Sequence, residues 1–264
     1  MKIGVWSPYH GTGATASLLA VSVAISEMME RRVLVTQTHY SMNNLEKPLL
    51  GEVDSDSFFR DTGLDAIMRF FKSGNLTEEQ VNNCSINISK RLALLTGTKV
   101  SSKETYENKM VQEMVTHILN IVEKFYDIVL VDTCSGENEQ SKSVINECDM
   151  VVVNLRQSKD MINEVIDNPL FEGKKVYYLF GSYDGNSKYN LANLRKIYKK
   201  MTKENSGGIP HCTQFMDSIT DEKAFKFLIS NLDADEDFAD VDFIDAVNDV
   251  ASRIVELAEK KVKK

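Results

Sequence analysis

The sequence predicts a doubly wound α/β fold, a mainly parallel sheet flanked by helices, and two observations carry that reading. Over the first 37 residues an apolar run (3–6), a Gly-containing turn, an Ala/Leu-rich helical stretch and a second apolar run (VLVTQ, 33–37) make a βαβ unit. Such a unit implies parallel strands joined by a right-handed crossover. Further along, DIVLVD (127–132), MVVVNL (150–155) and VYYLF (176–180) read as strands separated by segments of helical period.

Taken in order, residues 2–7 read as a buried strand and 15–30 as a helix with Leu18, Leu19, Val21, Ala24, Ile25 and Met28 at core-facing spacings. From 40 to 74 the pattern loosens into an insertion that includes the acidic stretch 52–56 and ends in a helix over 64–71. Thr77 and Gln80 have capping-box spacing for a helical turn over 77–81, and RLALL (91–95) is a short strand. Met110, Met114, Ile118 and Ile121/Val122 mark an amphipathic helix within 107–125. Beyond the strand at 127–132 come the turn Thr133-Cys134-Ser135-Gly136, a helix over 141–146, the strands at 150–155 and 176–180, and a helix over 189–203. Residues 206–210 (SGGIP) read as a loop, 212–215 as an extended piece, 221–231 as a helix, 233–240 as a solvated acidic loop and 242–264 as a long terminal helix. Tyr177 and Tyr178 lie inside an apolar strand and are assigned to the core.

Composition narrows the function classes. The 264 residues, 42% apolar and 27% charged, suit a single domain spanning 1–264. A net charge of −8 and a pI near 5.2 argue against a broad electrostatic grip on nucleic acid, which needs clustered Lys and Arg. Cys84, Cys134, Cys148 and Cys212 are scattered without CxxC or Cys/His spacing, so neither a zinc site nor a disulfide framework is suggested. His10, His39, His117 and His211 have no metal-site spacing and are assigned ordinary hydrogen bonding. There is no signal-peptide pattern, and no apolar stretch approaches the roughly 20 residues that span a bilayer. A cytoplasmic protein is expected, one that could be recruited to a pole or to the inner face of the membrane.

The chemistry concentrates in KIGVWSPYHGTGATAS, residues 2–17. A helix N-terminus presents unpaired N–H groups and partial positive charge, and glycines let the backbone close around an anion. The phosphate-loop pattern GxxxxGK[ST] falls on Pro8, Gly13, Ala14 and Thr15, so the lysine that would meet phosphate charge is an alanine. At the end of a later strand, Asp132 and Gly136 occupy positions where an acid holds Mg²⁺ and a glycine amide meets phosphate.

The order of strand, glycine loop and helix, then VLVTQTHYSMNNL, YDIVLVDTCSG, CDMVVVNL and YYLFGSYDGNSKYNLANL, resembles the MinD/ParA family of deviant P-loop ATPases over essentially the whole chain. Within it, the last segment is similar to the ATPase-like domain of TadZ/CpaE pilus-localisation proteins. The resemblance places the family's KGGVGKT on Tyr9-His10-Gly11-Thr12-Gly13-Ala14-Thr15, with Ala16 following. Its signature lysine, which reaches across a sandwich dimer, is here Tyr9. Its DxD acids fall on Gln37-Thr38-His39, its TPAG turn on Thr133–Gly136, and its adenine-recognising Asn-Arg pair on Gly181-Ser182. Thr15 and Asp132 keep the Mg²⁺-associated positions.

The resemblance implies ATP or ADP with Mg²⁺, a homodimer and protein partners of a localised assembly. Loss of both lysines and of the DxD acids removes positioning and electrostatic contributions worth orders of magnitude in rate. The expectation is a degenerate member in which hydrolysis is weak or absent, acting as a localisation or scaffold factor for a pilus or secretion assembly. The alternative is an active ATPase that partitions plasmid, chromosome or other cargo with an unconventional P-loop. A third reading is a pure interaction module with a vestigial loop. The terminal helix, apolar on one face, is read as packed on the sheet, with contact to a membrane surface as the other option.

Overall fold

The computed structural model describes residues 1–39, 44–51, 62–74, 76–98, 108–233 and 240–260. The acidic stretch 52–56, most of the 233–240 loop and the lysine-rich end at 261–264 lie outside them. Among the described residues eight strands form one sheet: β1 (Lys2–Trp6), β2 (Val33–Gln37), β3 (Ile86–Asn87), β4 (Leu92–Leu95), β5 (Ile128–Asp132), β6 (Met150–Leu155), β7 (Lys175–Tyr183) and β8 (Ser206–Pro210). Their order is β3-β4-β2-β5-β1-β6-β7-β8, every pairing parallel except β3 with β4. The helices are α1 (Ala14–Met28), α2 (Glu46–Leu50), α3 (Gly63–Ser73), α4 (Glu78–Cys84), α5 (Lys109–Val122), α6 (Glu139–Asn146), α7 (Lys159–Ile166), α8 (Leu191–Ile197), α9 (Thr213–Thr220), α10 (Ala224–Asn231) and α11 (Val241–Glu259).

Side chains alternate across a strand, and here both faces are apolar. Ile3, Val5, Val33, Val35, Leu130, Val152, Tyr177 and Leu179 join α1, α9, α10 and α11 on one side. On the other, Leu34, Leu95, Val129 and Val131 meet α3, α4 and α5, while Trp6, Val153, Leu155, Tyr178 and Phe180 meet α6, α7 and α8. Each fully buried Leu, Ile or Phe contributes about 1.5–3 kcal/mol, so this double burial anchors the strand ends that build the site. Both tyrosines are core residues, as expected. Thr77 and Gln80 form the capping box at α4.

Four expectations are corrected. Residues 206–210 are a strand, because Gly207 and Gly208 serve close packing: a Cβ on Gly207 would lie 2.8 Å from Val250 Cγ2, and one on Gly208 2.5 Å from Tyr183 Cγ. Residues 212–215 begin α9, whose first turn is capped by Cys212 Sγ accepting from the Phe215 amide at 3.2 Å. The 189–203 helix is only Leu191–Ile197, since Tyr198 turns extended at φ −105° and ψ 97°. The 221–231 helix splits from its predecessor and starts at Ala224, after the positive φ of 59° at Glu222.

On α11 the apolar face, Phe243, Ile244, Val247, Val250, Ile254 and Val255, is buried in the core, where the helix meets α1 and β8. That face is therefore occupied by the protein itself rather than available to a membrane surface. Among the described residues no helix is long and apolar enough to cross a membrane.

Candidate functional site

Strand order puts the site together. β1 lies between β5 and β6, and β5 between β1 and β2, so their carboxyl ends converge, the place where parallel sheets take ligands. Asp132 stands opposite Val5 on one side and Gln37 on the other, and Trp6 stands opposite Val153.

The loop after β1 is held from below. Trp6 Nε1 donates to the Gly136 carbonyl at 2.9 Å, the Gly136 amide donates to the Ser7 carbonyl at 2.9 Å, and Ser7 Oγ donates to the Tyr9 carbonyl at 2.8 Å. The Thr133–Gly136 turn is thereby stapled to the loop. Gly11 and Gly13 adopt φ of 74° and 89°, left-handed backbone that glycine tolerates at little cost, and Gly13 precedes the first turn of α1. Asn154, fully buried on β6, donates Nδ2 to the Thr12 carbonyl at 2.9 Å, while a Cβ on Gly181 would come within 2.9 Å of that same oxygen. Thr12 is thus clamped between β6 and β7. Yet Thr12 Oγ1 and Asn154 Oδ1 are buried without a partner among the described residues.

Beside this loop opens a cleft of about 260 Å³ whose walls include Gly11, Thr12, Gly13, Arg156, Gly181 and His211. Ala16 and Ser182 also line it. Arg156, the residue after β6, donates Nη2 to the Gly11 carbonyl at 2.5 Å. On the far side, Thr15 Oγ1 donates to Asp132 Oδ2 at 2.7 Å, and His39 Nε2 lies 3.4 Å from Asp132 Oδ1. Burial works against charge on His39, but hydrogen bonding to Asp132 and Cys134, with the charge of Asp132 beside it, more than offsets it and raises the imidazole to about 10. At 3.4 Å the imidazole and the Asp132 carboxylate form an ion pair when the imidazole is protonated.

Of the sequence-predicted residues, Gly11, Thr12, Gly13, Ala14, Thr15, Ala16, Asp132 and Gly136 come together at the converging strand ends. Tyr9 and His10 are exposed, and the Tyr9 hydroxyl donates to Glu164 of α7, which raises its pKa. Lys2 is buried at the opposite end of β1 against Asn120 and Glu123. Sequence reasoning missed Arg156 and Asn154, whose signal was a charge and a buried polar residue at the end of a predicted strand. It also assigned His39 an ordinary role, whereas the fold sets it against Asp132.

The loop with its left-handed glycines at the head of α1 and the cleft beside it fit a nucleoside phosphate. Thr15 and Asp132 are the hard oxygen donors a magnesium ion takes alongside phosphate oxygens and water, and the His39 imidazole lies against the same carboxylate. Among the described residues no group of three His, Cys, Asp or Glu could hold a metal ion.

No protein-family model and no curated protein sequence matches the chain. Solved structures do. A ParA family ATPase from Chlorobium tepidum TLS is 17% identical with a TM-score of 0.73, covering 95% of this chain and 98% of that one. The septum site-determining protein MinD of Pyrococcus horikoshii OT3, complexed with Mg-ADP, is 16% identical with a TM-score of 0.73 over 99% of both chains. A chain of the MinC:MinD cell division protein complex of Aquifex aeolicus is 14% identical with a TM-score of 0.70, covering 100% of this chain and 98% of that one. With its strands in this order and its glycine loop at the end of β1, the chain has the fold of the ParA and MinD ATPases.

Proposed function

We propose that this chain is a degenerate member of the MinD/ParA family that binds a nucleotide on the β1–α1 loop, hydrolyses it slowly or not at all, and acts as a localisation or scaffold factor. The observation that carries the reading is Ala14 at the head of α1, where a lysine would stand, in a loop otherwise shaped for phosphate. Without that lysine the loop still offers amides and the helix dipole, which bind, but lacks a cation aimed at charge developing in a transition state. Tyr9, at the signature-lysine position, is tied to Glu164 of its own chain. Glu46 accepts from Gln37 Nε2 at 3.2 Å and from the Gly97 amide at 3.1 Å, so this buried acid is engaged in structure beside the eroded DxD.

The MinD likeness in complex with Mg-ADP supports nucleotide as ligand, and the MinC:MinD likeness supports protein partners. The MinD/ParA resemblance implies a homodimer, and the TadZ/CpaE resemblance a pilus or secretion assembly. Calorimetric titration with ATP and ADP, run alongside a turnover assay and a measurement of oligomeric state, tests the reading. Saturable binding with turnover at or near background is expected, and turnover at rates ordinary for MinD/ParA enzymes overturns it.

A further inference from the structure

Arg156 has no role in the resemblance, yet it is the guanidinium the fold delivers to the phosphate loop. It follows β6, which runs beside β1 with Trp6 opposite Val153, so the residues after these two strands are neighbours. Its loop is fastened: Gln157 donates Nε2 to the carbonyls of Asp184 at 2.9 Å and Tyr189 at 3.1 Å, and its Oε1 accepts from the Asp184 amide at 2.8 Å. Ser158 Oγ then caps α7. The guanidinium is exposed, lines the cleft with Gly11–Gly13, and pairs with no carboxylate among the described residues.

One of its N–H groups is used on the Gly11 carbonyl. A guanidinium has five, in a planar fork that matches two phosphate oxygens. Thr12, 4% exposed and lining the same cleft, carries a hydroxyl without a partner. A buried hydroxyl left unpaired costs free energy, and an oxyanion would become its acceptor once the side chain turned toward the cleft.

We propose that Arg156 is the phosphate-binding cation of this site, delivering from the end of β6 the charge that Ala14 cannot supply from the loop. This rests on the nucleotide reading of the cleft. Arg156 approaches from outside the loop, beside Gly11, and its fork recognises phosphate oxygens in pairs rather than as a point charge.

The test is titration of the full chain with ATP and with inorganic pyrophosphate, for wild type and for Arg156→Ala, Arg156→Gln and Arg156→Lys. Glutamine keeps an N–H donor for the Gly11 carbonyl without the charge, and lysine keeps the charge without the fork. Alanine and glutamine are each expected to weaken both ligands roughly ten- to hundred-fold, with lysine recovering part of the loss and the ligand-free melting point lowered by no more than the loss of one exposed hydrogen bond. Wild-type affinity in the glutamine variant would reduce Arg156 to a staple on Gly11 and overturn the proposal. Equal affinity in all four proteins would overturn it while leaving nucleotide binding intact. No saturable binding of ATP, ADP or pyrophosphate by the wild type would remove the nucleotide reading and this proposal with it.

Discussion

His39 at the end of β2 and Asp132 at the end of neighbouring β5 form a buried ion pair at 3.4 Å, inside the site and against the Thr15 hydroxyl that donates to the same carboxylate. The imidazole is held above its ordinary value, so the pair's contribution to stability is fully present below about pH 6.5 and is lost as pH rises through about 10. His39→Gln leaves a buried carboxylate without its cation and should cost about 2–4 kcal/mol at pH 7. Chemical denaturation across pH 6–10 checks this: the wild type should approach the variant as pH rises, and parallel curves would contradict the pair.

His39 and a divalent ion would compete for the same Asp132 carboxylate. The difference between ATP affinity with Mg²⁺ and with a chelator should therefore be larger in His39→Ala than in the wild type. An equal difference in the two proteins would contradict the competition.

Trp6 is the chain's single tryptophan, 1% exposed, with its indole N–H on the Gly136 carbonyl beneath the loop. Its emission should be blue-shifted and should change saturably with nucleotide, without any label. Trp6→Phe loses that hydrogen bond and leaves a cavity where the larger indole packed against Phe171, for a cost of about 2–4 kcal/mol.

Gly181 gives the Thr12 carbonyl its space. In Gly181→Ala the new Cβ would meet that oxygen at 2.9 Å, and since the obstacle is backbone the loop must move. Stability should fall by about 1–3 kcal/mol, and nucleotide affinity should fall more steeply than in a control variant of equal stability.

Gly207→Ala drives a Cβ into Val250 and the Tyr177 hydroxyl and should cost about 3 kcal/mol. The Tyr177 hydroxyl is buried without a partner among the described residues, so Tyr177→Phe should be neutral or stabilising by about 1 kcal/mol and should relieve part of the Gly207→Ala loss. Urea denaturation of the two single variants and the double variant measures the coupling.

Much of this was legible in the chain. The βαβ start, the strands at 127–132 and 150–155 and the glycine loop are local patterns, set by which residues are apolar and at what period, and the fold follows them. Where the chain misled, the cause was distant. Gly207-Gly208 looks like a loop until Tyr177, Tyr183 and Val250 crowd against it, and Cys212 caps a helix that its own neighbours do not announce.

What the sequence by itself determined is the sheet, the phosphate-shaped loop and the absence of a lysine at Ala14, because each is written in consecutive residues. Only the tertiary structure decided what stands around that loop. His39 meets Asp132 across 93 residues of chain and Arg156 meets Gly11 across 145, since a parallel sheet gathers the ends of strands that are far apart in sequence. Charge acts through space, and no local pattern could place those two cations.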